Sequence, residues 1–468
     1  MTPYLSAPNP TRSFTVVLLS LTILSTLGFA ETGQAPAPAA GQCRVEAVEY
    51  RGWHAQQMSN QWVQLIVVPQ NGGRLMQVIF NGHPYLFVNS ELAGKYFPPT
   101  PGKWFNYGGD KLWPLPEGND DEKHWVGDSD VLDDGPFSFR KLSEGNHCEI
   151  ELTGPADPQT GIQYQRTITI GADSPGIRFH ATMKNITGHP IEWSMQSVSQ
   201  YDTSNSSSSP SSGYNHNFWT FTPANLSSSY LNRYHVRFGP AENSSVNVSD
   251  DGLFSQHYVH MAAELRLDTT EGWLAVVDGT GEYAMVERFQ YQEDKPYPGK
   301  ASVIFWTNGP EMHLNKNGEP ALSADPDASP TYLEAELNSP LCRLRPGETC
   351  DLDTEWFPTR AGNEFHGVRD SGIVIHPLQC SLLEGKLKLS GEFGVLWPGK
   401  LVAHFYNDHG SSVGTSTLSE VDPRKPLVLD HEITPPQNTA RVSLHVEGRD
   451  GTDYGSLGEV FVAGAGNR

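Results

Sequence analysis

Short alternating strands joined by glycine- and proline-bearing turns predict an all-β protein of antiparallel sheets packed face to face. Three observations carry that expectation. The 468-residue chain holds 45 glycines and 35 prolines, which suits many turns and short strands. No segment shows the 3.6-residue apolar period of a long helix, and no strand–helix–strand order appears. Apolar residues recur instead at alternate positions over runs of five to ten residues, the period of a half-buried strand.

The strands follow one another from residue 62. WVQLIVVP (62–69) is mostly apolar, NGGR (71–74) makes a turn, and LMQVIF (75–80) returns. NGHP (81–84), with the hairpin pair Asn81-Gly82, turns again into YLFV (85–88). HCEIELTG, IQYQRTITI, IRFHATMKNI and EWSMQSVSQ continue the series. In IQYQRTITI, Gln163, Gln165, Thr167 and Thr169 share one face, and Ile162, Tyr164, Ile168 and Ile170 the other; the phase slips at Arg166, as a bulge would produce. GWLAVVD, AMVERFQYQ, ASVIFWTNG and TYLEAELNSP follow, and LRPGETCDLDTEWFP closes a unit near residue 358. The polar TRAGNEFHG marks a boundary. SGIVIHPL (371–378) opens a second set of strands, so the expected division is a β-domain over 44–360 and a small C-terminal β-domain over 361–468.

Composition and termini narrow the function. Lys+Arg number 32 against 54 Asp+Glu, for a net charge of -22, which repels nucleic acid phosphates. Arg12 precedes the apolar run FTVVLLSLTILSTLGFA, which ends in the small residues Gly28 and Ala30. This pattern predicts a cleaved signal peptide over 1–30 and a secreted or periplasmic protein, with no transmembrane segment after cleavage. ETGQAPAPAAG begins a Pro/Ala-rich linker over 31–43. Of five cysteines, Cys342 and Cys350 bracket the turn RLRPGET and are the pair most easily joined. Their spacing does not suit a metal, and no metal or other cofactor is called for.

The chemistry gathers in a few stretches. In NYGGDKLWPLP (106–116), Asn106, Asp110, Lys111 and Trp113 fall within a short turn and a short extended piece. Trp104, Trp113 and Trp125 then crowd one long connection with His124. Aromatic faces that stack on sugar C–H groups, interleaved with charged and amide groups for the hydroxyls, are what a carbohydrate site requires. On TYLEAELNSP, Tyr332, Glu334 and Glu336 share one strand face and the apolar Leu333, Ala335 and Leu337 the other. The polar face is either solvated or a carboxylate-lined groove able to move protons once burial tunes it. In NGGR, two glycines permit a tight turn, and Arg74 brings a planar fork suited to carboxylates or vicinal hydroxyls. Glu287 reads either as a groove carboxylate or as the partner of a structural salt bridge with Arg288 or another cation. The acidic stretches DDE (120–122) and SDVLDD (129–134) read as solvated loops or as calcium ligands, though they lack the spacing of an EF-hand. His189 sits in a strand-to-strand turn. No G-x-S-x-G, H-E-x-x-H or dinucleotide fingerprint is present.

The order NGGR, NYGGDKLWP, GPFSF, KNITGHPIEWSMQSVSQ and YLEAELNSPLCRLRPGETCDLDTEWF resembles an uncharacterised bacterial branch of the galactose mutarotase-like (aldose 1-epimerase) superfamily, over roughly residues 45–358. The resemblance implies an antiparallel β-supersandwich that binds sugar on its concave sheet. It also implies an arginine near the substrate, matched by Arg74; a late glutamate as base, matched loosely by Glu334 or Glu336; and a histidine acid, for which His124 and His189 are the candidates, neither in the usual asparagine- or serine-rich context. Fold does not settle reaction. Three readings follow: an exported carbohydrate-binding protein with Trp113, Lys111, Asp110, Asn106 and Tyr332 at the ligand; an epimerase, lyase or glycoside hydrolase acting on an aldose or uronic-acid sugar; and a non-catalytic envelope spacer.

Overall fold

The computed structural model of the chain describes residues 41–100, 103–117, 131–204, 213–240, 244–314, 320–322 and 330–462. The expected signal peptide, nearly all of the expected linker, Trp125 and His124 lie outside these residues. The described chain is all-β and antiparallel, with a single 3-10 turn at Pro298–Lys300.

Two large sheets form the main body. The first has twelve strands, with Arg44–Tyr50 at one edge and His235–Phe238 at the other. Its middle runs Val63–Val68, Arg74–Phe80, Asp110–Leu115, Ile191–Asp202, Tyr332–Asn338, Val303–Thr307. The second has ten strands and centres on Tyr283–Phe289, Thr349–Arg360, Ile177–Asn185 and Ile162–Gly171. Leu65, Leu75, Leu333, Ala335 and Leu337 of the first sheet and Ile150, Ile168, Phe179 and Trp356 of the second belong to one buried apolar cluster. That core is the face-to-face packing expected of alternating strands.

Four local expectations are corrected. The extended piece within 106–116 is not part of one long connection: Asp110–Leu115 is an interior strand, paired along its length with Ile191–Asp202. Pro114 hides this, because proline is excluded from most central strands. It is tolerated here because the strand's other flank meets Arg74–Phe80 only at Leu75↔Asp110. The glycines before the strand serve close approach: a Cβ on Gly108, at φ +90, would lie 2.2 Å from the Phe87 carbonyl oxygen. Second, YLFV is not a continuous strand; His83–Pro84 pairs back on Arg74–Phe80, and Leu86 and Val88 make isolated bridges to Tyr201 and Gly108. Third, Ile162–Gly171 carries no bulge and keeps register with both neighbours. Arg166 is simply a charged residue on the inward face. Fourth, Glu287 makes no salt bridge with Arg288, which donates to the carbonyls of Arg369 and Asp370.

Two disulfides are present. Cys342–Cys350 is the expected pair, across a turn whose flanking strands lie in different sheets. Cys43–Cys148 ties the first strand of the first sheet to the second sheet. Cys380 belongs to neither.

Beyond Arg360 the chain builds two four-stranded sheets between Gly367 and Phe461. Their own core includes Leu389, Phe393, Leu401, Phe405, Val442 and Leu444. A separate cluster joins this unit to the back of the second large sheet: Ala275, Val277, Val286 and Phe357 pack with Phe365, Ile373 and Leu396. Phe221 and Phe365 stack at 4.2 Å between centroids.

Candidate functional site

Strand alternation decides which polar groups meet. Lys111 pairs with Val198 and Trp113 with Gln196, while Val198 and Gln200 pair in turn with Glu336 and Glu334. These side chains therefore share the face of the first sheet turned away from the second. Arg74, next to Leu75 at the Leu75↔Asp110 contact, joins the same face. Asp110, Ser197, Ser199 and Tyr201 point the other way, into the sandwich.

Asp133 is the hub of the outer group. Its carboxylate accepts from Arg74 Nη2 at 2.6 Å, from Trp104 Nε1 at 3.0 Å and from Lys111 Nζ at 3.4 Å. Arg74 is fully buried and also donates to the Gly108 carbonyl at 3.2 Å. Burial alone would raise the Asp133 carboxyl, but the charges of Arg74 and Lys111 and the hydrogen bonds more than reverse this, so its pKa is lowered. The Lys111 ammonium lies 3.7 Å from the Trp113 ring centroid and 5.2 Å from that of Trp104. Burial lowers its pKa, with Asp133 opposing.

Glu334 and Glu336 form the other wall. Gln200 Nε2 donates to Glu334 at 2.6 Å and Gln196 Nε2 to Glu336 at 2.5 Å. The two carboxyls are themselves within hydrogen-bond reach of each other. Burial raises both; Lys111 opposes this at Glu334, whereas the charges of Glu334, Glu264 and Glu117 push Glu336 further up. Both carboxyls are thus held above the ordinary carboxylate range, Glu336 further than Glu334. Glu334 is half-buried, and Trp104 is 44% exposed, so both reach solvent beside the closed hub.

Beneath the strand lies a second polar layer, between the sheets. Arg166 donates to Asp110, whose carboxylate also accepts from Ser197 at 3.2 Å and Ser199 at 3.4 Å. Burial pushes Asp110 up, and Arg166 opposes it. Glu287 accepts from the Tyr201 hydroxyl at 2.5 Å. Burial drives its carboxyl up to about 8.

Arg74, Lys111, Trp113, Glu334 and Glu336 are thus brought together as the sequence suggests. Tyr332 is on the same face, stacked on Phe87 at 5.0 Å and within hydrogen-bond reach of Asn106. Asp110 is excluded, because it is one residue out of phase with Trp113 and Lys111. His124 lies outside the described residues, and His189 is exposed in the turn before Ile191–Asp202. Asp133, Gln196, Gln200 and Trp104 complete the group. The glutamines could have been found from the alternation of EWSMQSVSQ. Asp133 could not, because its acidic surroundings read as a solvated loop, whereas Asp133 is buried.

Gly72 explains how Asp133 gets there. At φ +67 its absent Cβ would stand 1.9 Å from the Asp133 carbonyl oxygen. Gly72→Ala is expected to displace the Asp133 segment and to cost at least about 1–3 kcal/mol from the left-handed backbone alone. Gly82→Ala is the control, since a Cβ there meets nothing within 4 Å. Thermal unfolding of both variants checks this; equal losses would show that the approach of Asp133 is not what requires Gly72.

No family model matches the chain, and no curated protein matches it. Among solved structures it is similar to a TPR-domain containing protein from Parabacteroides distasonis, at 12% identity and TM-score 0.44, covering 68% of this chain and 48% of that one. The match therefore spans about half of that protein. A galactose mutarotase-like protein from Clostridium acetobutylicum is similar at 9% identity and TM-score 0.42, covering 68% of this chain and 99% of that one. Galactose 1-epimerase from Lactobacillus acidophilus is similar at 10% identity and TM-score 0.38, with coverage of 68% and 99%.

Proposed function

We propose that the chain is an exported carbohydrate-binding protein whose ligand meets the outer face of the first sheet at Trp104, Lys111, Glu334 and Glu336. The observation that carries this reading is the convergence, on one face, of a solvent-reaching indole, two cations around one carboxylate, and two glutamine-held carboxyls. Such a set offers a stacking surface beside donors and acceptors for hydroxyls. Gln200 Oε1, buried and without a hydrogen-bond partner among the described residues, supports it as an acceptor still to be satisfied. The apolar run at 14–30 and the two disulfides support export.

Calorimetry of the chain against neutral and acidic mono- and oligosaccharides tests the reading. Trp113 is buried whereas Trp104 is exposed, so Trp104 is the stacking residue. Trp104→Ala is expected to weaken binding roughly 30-fold, the scale of a desolvated aromatic anchor worth about 2 kcal/mol. Trp113→Ala is expected to act chiefly on melting temperature. Lys111→Ala should weaken acidic sugars more than neutral ones. Absence of binding across the panel, or unchanged affinity in folded Trp104→Ala, sinks the proposal.

A second reading, an enzyme acting on an aldose or uronic-acid sugar, is favoured by the unequal carboxyl pair. Glu336 would donate a proton to a sugar oxygen while Glu334 accepts one from a hydroxyl. Anomeric proton exchange by NMR, comparing the natural protein with Glu336→Gln, separates catalysis from binding.

A further inference from the structure

The C-terminal unit sets two histidines side by side on a sheet. Gly399–Tyr406 and Arg441–Glu447 pair with His404 opposite Ser443 and Val402 opposite His445, so both imidazoles rise from one face, a diagonal step apart. Their rings stack at 4.2 Å between centroids, with an interplanar angle of 24°. Asp453, at the start of the next strand, places both carboxylate oxygens 3.0 Å from His445 Nδ1. Donor atoms of His404, His445 and Asp453 all lie within 4.8 Å of one another. Further partners hold the rings: Glu447 Oε1 is 3.2 Å from His404 Nε2, and Ser443 Oγ is 3.1 Å from His445 Nε2. His445 also lines a polar cleft of about 660 Å³, with Tyr406, Arg441 and Glu459 among its walls.

We propose that His404, His445 and Asp453 form a binding site for a divalent transition metal of the zinc class. Two imidazoles and one carboxylate are a donor set for Zn²⁺, Co²⁺, Ni²⁺ or Cu²⁺, whereas Ca²⁺ and Mg²⁺ take oxygen ligands. Ligands bound tetrahedrally at ~2.0–2.1 Å stand ~3.3 Å from each other, so the Asp453–His445 spacing needs little opening once a cation replaces the shared proton. The third donor must close in by at most about an ångström and a half, within the range of a side-chain rotation on a fixed sheet. Glu447 and Ser443 are placed as the outer hydrogen-bond partners that metal-binding imidazoles use to fix ring and tautomer. Three protein ligands leave a fourth position for water or for a ligand carried in the cleft. The Arg441 guanidinium, which lines the same cleft as His445, is directed to Glu459 and lies over the Tyr406 ring.

The test uses the full chain without an affinity tag, stripped with a chelator and titrated with Zn²⁺ by calorimetry, with metal content and melting temperature read in parallel. One saturable equivalent and a rise in melting temperature are expected, with neither produced by Ca²⁺ or Mg²⁺. His445→Ala and Asp453→Asn should each remove the equivalent and the thermal shift. Glu447→Gln should weaken binding roughly tenfold, as loss of an outer partner does. Lack of saturable binding, or an equivalent that survives in both ligand variants, overturns the proposal. If His445→Ala does not fold, Asp453→Asn, a near-isosteric change at an exposed position, decides by itself.

Discussion

Asp133→Ala is expected to destabilise the protein by about 3–5 kcal/mol, the scale seen when one partner of a buried ion pair is removed. Arg74 and Lys111 would then face each other with no anion between them, and the Trp104 indole N–H would lose its acceptor. Urea unfolding measures the loss. The double variant Arg74→Met/Asp133→Leu removes charge from both sides and is expected to recover part of it. A double variant no more stable than Asp133→Ala would show that the unpaired guanidinium is not the source. Because the hub also positions Lys111, sugar binding should fall in Asp133→Ala even at temperatures where the variant remains folded.

The residues that made the hub hard to foresee are those whose character is set by distant partners. The alternation in TYLEAELNSP was legible because Leu333, Ala335 and Leu337 are apolar, and it correctly placed Tyr332, Glu334 and Glu336 together. Asp133 carries no such local signal. It is one of several aspartates in a polar stretch, and only the bare backbone of Gly72, some sixty residues earlier, lets it reach Arg74. Arg166 appeared as a break in period because a charge on the inward face is unexpected until Asp110 is found opposite it. The strand Asp110–Leu115 was obscured by Pro114, whose tolerance depends on how little of the neighbouring strand reaches it. The two-sheet architecture, in contrast, rests on many independent turns and alternations, and no single exception disturbs it.

The second large effect concerns pH. Burial raises the Glu287 carboxyl from an ordinary 4.5 to about 8. Between those values the folded protein holds a proton that the unfolded chain has already released. Stability must therefore fall as pH rises through this window, and level off above it. Each pH unit corresponds to about 1.4 kcal/mol, so the whole change is on the order of 3–5 kcal/mol. Glu287→Gln keeps an acceptor for the Tyr201 hydroxyl and has no charge to bury. It is expected to match the natural protein near pH 4.5 and to exceed its stability by that amount near pH 8. Urea unfolding at the two pH values checks this; curves that stay parallel would mean that Glu287 ionises in the folded state as readily as in the unfolded one.

The Cys43–Cys148 bond, with a sequence separation of 105, turns part of the site into a covalent ring. Arg74, Asp110, Lys111 and Asp133 are all members of that ring; Gln196, Gln200, Glu334 and Glu336 are not. In the unfolded chain the cationic wall is therefore confined, while the carboxyl wall is free to diffuse away from it. For a ring of about 100 residues the entropy so withheld is worth about 4.7 kcal/mol at 25 °C on the chain-entropy account. The Cys342–Cys350 ring, with a separation of 8, lies just beyond Glu336 and confines far less of the chain. Reduction would thus release the two walls unequally: the half that carries the hub loses a long-range tether, and the half that carries the glutamates loses only a local one.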